Sequence, residues 1–224
     1  MFNYLKSVWK ERWNIILSII LFSVVTLNVA IHILWEDGDF AEIIWFCDIM
    51  SYVLAFALWF KNRFLISTVF LSAVPTQFLW IVDFFLQIFG FGLGRTEWLF
   101  TDFDTILTPV VSTIMHAILI PSALYGIYKL GFHKKSIIGI YITTVSILLV
   151  SYLFTDPTLN RNCAFFPCDL NFVEHKDIIL NNPFYMTHWY LIKEIFTWFM
   201  YGTAFYLFVL YILKFDFFKS RFCK

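Results

Sequence analysis

Cys47, Asp48, Asp83, His116, Lys193 and Glu194 all fall inside long apolar stretches of this 224-residue sequence. Ionisable side chains are costly in hydrocarbon, and where they persist they mark functional sites or helix–helix partners. Among them, Cys47 and His116 have the chemistry of an acyl-transfer pair. A thiolate attacks an ester carbonyl far better than a thiol does, and an imidazole can take its proton. In this pattern Cys47 is the candidate nucleophile and His116 the candidate general base. Asp83 or Glu194 would orient the imidazole as the third member of a triad does. Ser51 lies four residues after Cys47 and shares its helix face, with Asp48 beside them. Ser112 and Thr113, four and three residues before His116, can steady the ring or satisfy a carbonyl. Plainer readings stand next to these. A lone intramembrane Cys is usually a small packing residue, and a single His an interhelical donor. Asp48 and Glu194 would also serve as structural partners for Lys193 or for a helix end.

The elements that must position these residues are transmembrane helices. Hydrophobic residues make up 60% of the chain and charged residues only 14%, with a mean hydropathy of +0.75. A soluble domain needs far more charge to cover its surface. The expected fold is all-α: a polytopic membrane protein forming one bundle of six transmembrane helices. The spans read as 14–35, 41–60, 64–91, 105–128, 136–154 and 188–213, each close to the ~20 residues a bilayer requires. Pro75 predicts a kink or tilt in the third, and Pro109 and Pro121 predict an irregular fourth around His116. The first run is too long for a signal h-region and has no small-residue cleavage site after it, so it reads as an uncleaved helix.

Loop charge sets the orientation. Lys6, Lys10 and Arg12 precede the first span, Lys61 and Arg63 join the second to the third, and Lys129, Lys134 and Lys135 join the fourth to the fifth. Lys214, Lys219, Arg221 and Lys224 follow the sixth. The opposite connections carry Glu36, Asp37, Asp39, Glu97, Asp102, Asp104, Asp156, Asp169, Glu174 and Asp177. This positive-inside asymmetry places both termini in the cytoplasm and the long loop 155–187 outside. With no signal directing it elsewhere, the cell membrane is the expected location. At about 1.5 Å per residue, Cys47 and Glu194 lie about 9 Å below the outer ends of their spans, Asp83 about 12 Å and His116 about 16 Å. All sit in the outer half, which points to a shared polar cavity open to the outer leaflet.

Cys163 and Cys168 lie in the exported loop, where they would form a short-range disulfide or remain as two thiols. Cys223 lies among cytoplasmic basic and aromatic residues, a setting for reversible acylation or for an unremarkable thiol. A formal net charge of zero gives no reason to expect a nucleic-acid partner. Gly-rich phosphate loops, His-Glu-x-x-His helices and Gly-x-Ser-x-Gly elbows are missing. The Cys and His spacing matches no zinc site, and neither a metal nor a cofactor is expected.

The stretch Ile44-Trp-Phe-Cys47-Asp48 resembles the Cys-containing motif of YwaF-type integral membrane proteins. Met115-His116 to Pro121-Ser-Ala-Leu-Tyr-Gly-Ile-Tyr resembles their His-bearing fourth helix. Asn162-Cys-Ala-Phe-Phe, Asn182-Pro183-Phe-Tyr185 and Glu194 resemble their last loop and its entry into the final helix. That resemblance covers the second helix to the sixth. It implies kinship with an animal six-helix family of phospholipid acyltransferases that use a Cys and a His, here Cys47 and His116. It implies a more distant relation to the androgen-induced membrane lipid hydrolases, which pair a Thr with a His; no Thr stands at position 47. The expected partners are membrane lipids, one of them the substrate, with water or a lysolipid hydroxyl as acyl acceptor. Two other function classes fit the same six helices: a non-catalytic binder or transporter subunit with an outward polar pocket, and a structural protein whose polar residues hold helices together.

Overall fold

The computed structural model describes residues 2–35, 44–91, 96, 107–165 and 176–213. Among these the fold is all-helical. The main helices are α1 (Phe2–Trp35), α2 (Phe46–Trp59), α3 (Arg63–Ile88), α4 (Leu107–Leu130), α5 (Ser136–Phe154), the short α6 (Lys176–Asn181) and α7 (His188–Ile212). Two 3-10 turns, Pro157–Leu159 and Arg161–Cys163, follow α5. Among the described residues, five helices are long and apolar enough to cross a membrane: α1 over Arg12–Leu34, and α3, α4, α5 and α7 over their full lengths. Such a protein is a multi-pass membrane protein by the length and composition of its helices.

The expected second span differs from the other five. Against the expected 41–60, α2 has only 14 residues, Phe46–Trp59, and is about 21 Å long at 1.5 Å per residue. Trp45 before it is extended (φ −57°, ψ 134°) and supplies no side-chain cap. Residues 41–43 lie outside the described residues. The remaining expected boundaries agree to within about three residues, and α5 starts and ends where its apolar run does. α1 also continues back to Phe2, with non-helical angles at Arg12 (φ −119°, ψ 15°) marking the join between its polar start and its apolar body.

The prolines are absorbed rather than breaking their helices. α3 runs continuously through Pro75, and α4 through Pro121. The expected irregularity around His116 is therefore not seen. Thr113 Oγ1 donates to the Pro109 carbonyl at 2.7 Å and Thr76 Oγ1 to the Ala73 carbonyl at 2.8 Å. Such back-bonds satisfy carbonyls within the apolar stretch, where water is scarce.

Helices α1 to α4 form a four-helix bundle in which α1 and α3 each pack against α2 and α4, and α5 and α7 add on the α3 side. The core runs through Met50, Leu54, Leu58, Ile66, Leu71, Leu119 and Ala123. Small residues allow the closest approaches. A Cβ at Gly126 would meet Ile66 and Leu58, and one at Gly139 would overlap Thr68. Close backbone approach through small residues is how membrane helices gain packing energy without a hydrophobic driving force. Large apolar side chains such as Phe56, Phe78, Phe85, Ile142, Phe196 and Met200 point outward, the expected surface of a bundle solvated by lipid.

Candidate functional site

Cys47 is the second residue of α2, in the first turn, where backbone N–H groups present a positive helix end. It is reduced and half-buried. Its side chain packs in a small cluster with Val25 and Val29 of α1 and Met115 of α4. Ser51 shares its face as the spacing requires, but the Ser51 hydroxyl donates to the Cys47 carbonyl at 2.8 Å rather than addressing the sulfur. Next to Cys47, Asp48 is buried, and its Oδ1 accepts from Asn28 Nδ2 of α1 at 3.1 Å.

His116 is buried on α4, and its Nδ1 lies 2.7 Å from the Ser112 carbonyl. A carbonyl can only accept, so Nδ1 carries the proton and Nε2 is the ring's basic position. The indole of Trp80 lies flat on the imidazole, with centroids 3.9 Å apart and planes 12° from parallel. Ring orientation thus comes from Ser112 and Trp80, not from a carboxylate. Asp83 is engaged elsewhere. Its Oδ2 accepts from Thr96 N at 2.8 Å and Thr96 Oγ1 at 2.9 Å, pinning the α3–α4 connection to α3. Glu194 accepts from Trp198 Nε1 at 3.1 Å and from Lys193 Nζ at 3.0 Å. It reaches the α2 end only at second hand, because the Trp198 ring meets the Phe46 ring edge-on at 4.9 Å.

The four-helix bundle therefore brings Cys47, Asp48 and Met115, the neighbour of His116, to one height. The imidazole and the thiol face different neighbours at that height, and Asp83 and Glu194 sit at two other places. Two amides that carry no charge signal in the sequence join the layer. Gln77, three residues before Trp80 on the same face of α3, is buried with Oε1 unpartnered among the described residues. Asn28 is likewise buried, with Oδ1 unpartnered beside Asp48. Unsatisfied buried acceptors are uncommon in folded proteins and call for a donor such as water or a ligand hydroxyl.

Asn162, in the loop after α5, fixes the head of α2. Its Oδ1 accepts from Phe46 N at 2.8 Å; its Nδ2 donates to the Ile44 carbonyl at 2.8 Å and to Ser151 Oγ at 2.7 Å. One buried side chain thus ties the loop after α5 to α5 itself and to the first N–H of α2. This remote cap explains why α2 starts at Phe46 with no local capping side chain. Asn162 and Asn160 are left-handed (φ 56° and 45°), a conformation Asn tolerates better than most residues. Neighbouring Cys163 is disulfide-bonded; Cys168 and Cys223 lie outside the described residues. At the base of the loop, Asp156 accepts from the hydroxyl and N–H of Thr158, and these bonds hold its carboxyl below the usual carboxylate range.

No family model, curated protein or solved structure matches the chain.

Proposed function

We propose that this protein crosses the cell membrane six times with both termini in the cytoplasm, and that it transfers or hydrolyses a lipid acyl ester at Cys47 and His116 in the outer half of the bundle. The observation that carries this reading is the state of the two side chains. A reduced Cys47 stands in the first turn of α2 and packs with Met115, the residue before a His116 whose Nδ1 proton is committed to Ser112. That leaves Nε2 as a proton acceptor. Asn162 supports α2 as the sixth crossing, since it caps an N-terminus that would otherwise lie unsatisfied at membrane depth. The resemblance to YwaF-type proteins supports the same pairing.

In this mechanism Nε2 of His116 takes the thiol proton as the Cys47 sulfur attacks the ester carbonyl carbon. The carbon–oxygen bond to the lipid backbone breaks, and the departing alkoxide takes the proton back from Nε2. The resulting thioester is opened by water or by a lysolipid hydroxyl, whose proton passes through His116 to the sulfur. The unpartnered oxygens of Gln77 and Asn28 are acceptors suited to the second hydrogen of an attacking water or to another hydroxyl of the lipid. The thiol must turn from the Val25–Met115 cluster toward the imidazole as substrate enters, a tightening usual between apo and substrate-bound sites.

The test is acyl release from a fluorogenic phospholipid in vesicles, comparing wild type with Cys47→Ser and His116→Ala. Both variants should lose at least about a hundredfold in turnover; wild-type turnover in Cys47→Ser would remove the thiol from the mechanism. A second reading, that of a structural membrane protein, is favoured by the local partners of Asp48, Asp83 and Glu194. It predicts no turnover in any of the three proteins.

A further inference from the structure

A groove lies away from Cys47, between α1 and α2, near the ends of these helices that meet the α2–α3 turn. Its volume is about 300 Å³, and its walls include Ser18, Phe22, Ser23, Phe56, Trp59 and Phe60. The lining belongs to the apolar parts of two helices, so the groove opens to hydrocarbon. Phe22 and Phe56 meet edge-on at 6.1 Å across it.

Cations gather at one end. Asn14 Nδ2 donates to the Trp59 carbonyl at 3.2 Å, which brings the start of the apolar body of α1 alongside the end of α2. Arg12, where α1 has its non-helical residue, and Lys61 and Arg63 in and after the turn that follows α2 are all exposed at this end. Lys61 directly follows Phe60, a wall of the groove. The edge-on contact of Trp13 with Tyr125 at 5.2 Å brings the end of α4 to the same height, with Lys129 over the Tyr125 and Tyr128 rings. Glu11, beside Arg12, is the one acid in segments 11–14, 59–65 and 128–136, against Arg12, Lys61, Arg63, Lys129, Lys134 and Lys135. An apolar slot with aromatic walls thus ends in a cluster of positive charge.

We propose that this groove binds an anionic glycerophospholipid of the cytoplasmic leaflet, with an acyl chain lying between Phe22 and Phe56 and the phosphate against Arg12, Lys61 and Arg63. Charge complementarity selects the headgroup. A zwitterionic lipid fills the same slot without that gain, and basic residues at a membrane surface each favour anionic lipid by roughly fivefold. The site stands apart from Cys47 and would hold even if the protein has no catalytic activity.

Trp59 reports directly on occupancy. The full chain is reconstituted in phosphatidylcholine vesicles and titrated with brominated phosphatidylglycerol or brominated phosphatidylcholine. Subtracting the Trp59→Phe signal isolates quenching of that indole. Quenching by the glycerol lipid should reach half-maximum at a mole fraction about fivefold or more below that of the choline lipid. The preference should shrink, by up to about fivefold, with each of Arg12→Gln, Lys61→Gln and Arg63→Gln, should vanish in the triple variant, and should weaken in high salt. Ser23→Phe, which fills the groove from an exposed position and keeps every charge, should abolish the saturable component for both lipids. Equal quenching by the two lipids, or a preference untouched by the charge substitutions and by Ser23→Phe, would overturn the assignment.

Discussion

Replacing Asn162 perturbs a side chain that joins the loop after α5, α5 itself and the head of α2. Its removal leaves the first N–H of α2 and the Ile44 carbonyl without the partners they have now, in a position that is only 4% exposed. A buried group left unsatisfied costs about 1–3 kcal/mol, while Ser151 can rotate its hydroxyl to limit its own loss. Asn162→Gly should therefore destabilise the protein by about 2–4 kcal/mol, the combined cost of two such groups less partial relaxation. Asn162→Ala should cost roughly 1 kcal/mol more, because a Cβ is penalised in the left-handed conformation and glycine is not. Ser151→Ala removes only one bond and should cost about 1 kcal/mol. Unfolding in mixed micelles, followed by far-ultraviolet circular dichroism, gives these differences. The local effect is read by the rate at which maleimide labels Cys47, which should rise in the glycine variant as the start of α2 frays. If Asn162→Gly falls within about 0.5 kcal/mol of wild type, the size of an ordinary surface substitution, and Cys47 labelling is unchanged, the cap is not what holds α2 in place.

Further outcomes can be measured the same way. Gly139→Ala forces a methyl onto Thr68 and should cost about 1–3 kcal/mol. Thr68→Ala in the same chain should restore most of this, since the Thr68 hydroxyl has no partner among the described residues. Asn28→Leu removes a hydrogen bond to a buried carboxylate and should cost about 1.5–3 kcal/mol; adding Asp48→Leu should recover much of it, as exchanging both buried polar partners for apolar ones often does. Reducing the Cys163 disulfide should raise the Cys47 labelling rate, because Asn162 is the next residue in the chain. An unchanged rate would mean the loop stays seated without the bond.

How much of the fold and site is legible in the sequence depends on how local the deciding interaction is. α5 is legible from end to end, because Lys134 and Lys135 precede its apolar run and Thr155-Asp156 follows it. The start of α2 is not, because its cap lies 116 residues away in Asn162. Formal charge picks out Asp83 and Glu194 as a polar layer, yet these two carboxylates anchor a loop and an indole. Charge alone passes over Asn28 and Gln77, neutral amides that are buried and less well satisfied. For His116, spacing picks out Ser112, which holds the ring by its backbone carbonyl. Trp80 has no local signal, since its contact with His116 exists only once α3 and α4 pack.

The most direct measurement of the central claim is the mass of the intact protein after incubation with a phospholipid in vesicles, followed by peptide mapping. The mechanism predicts a hydroxylamine-sensitive acyl group on Cys47 in wild type, with none in Cys47→Ser and little in His116→Ala. An acyl group at equal levels in His116→Ala, or carried on a residue other than Cys47, would contradict it.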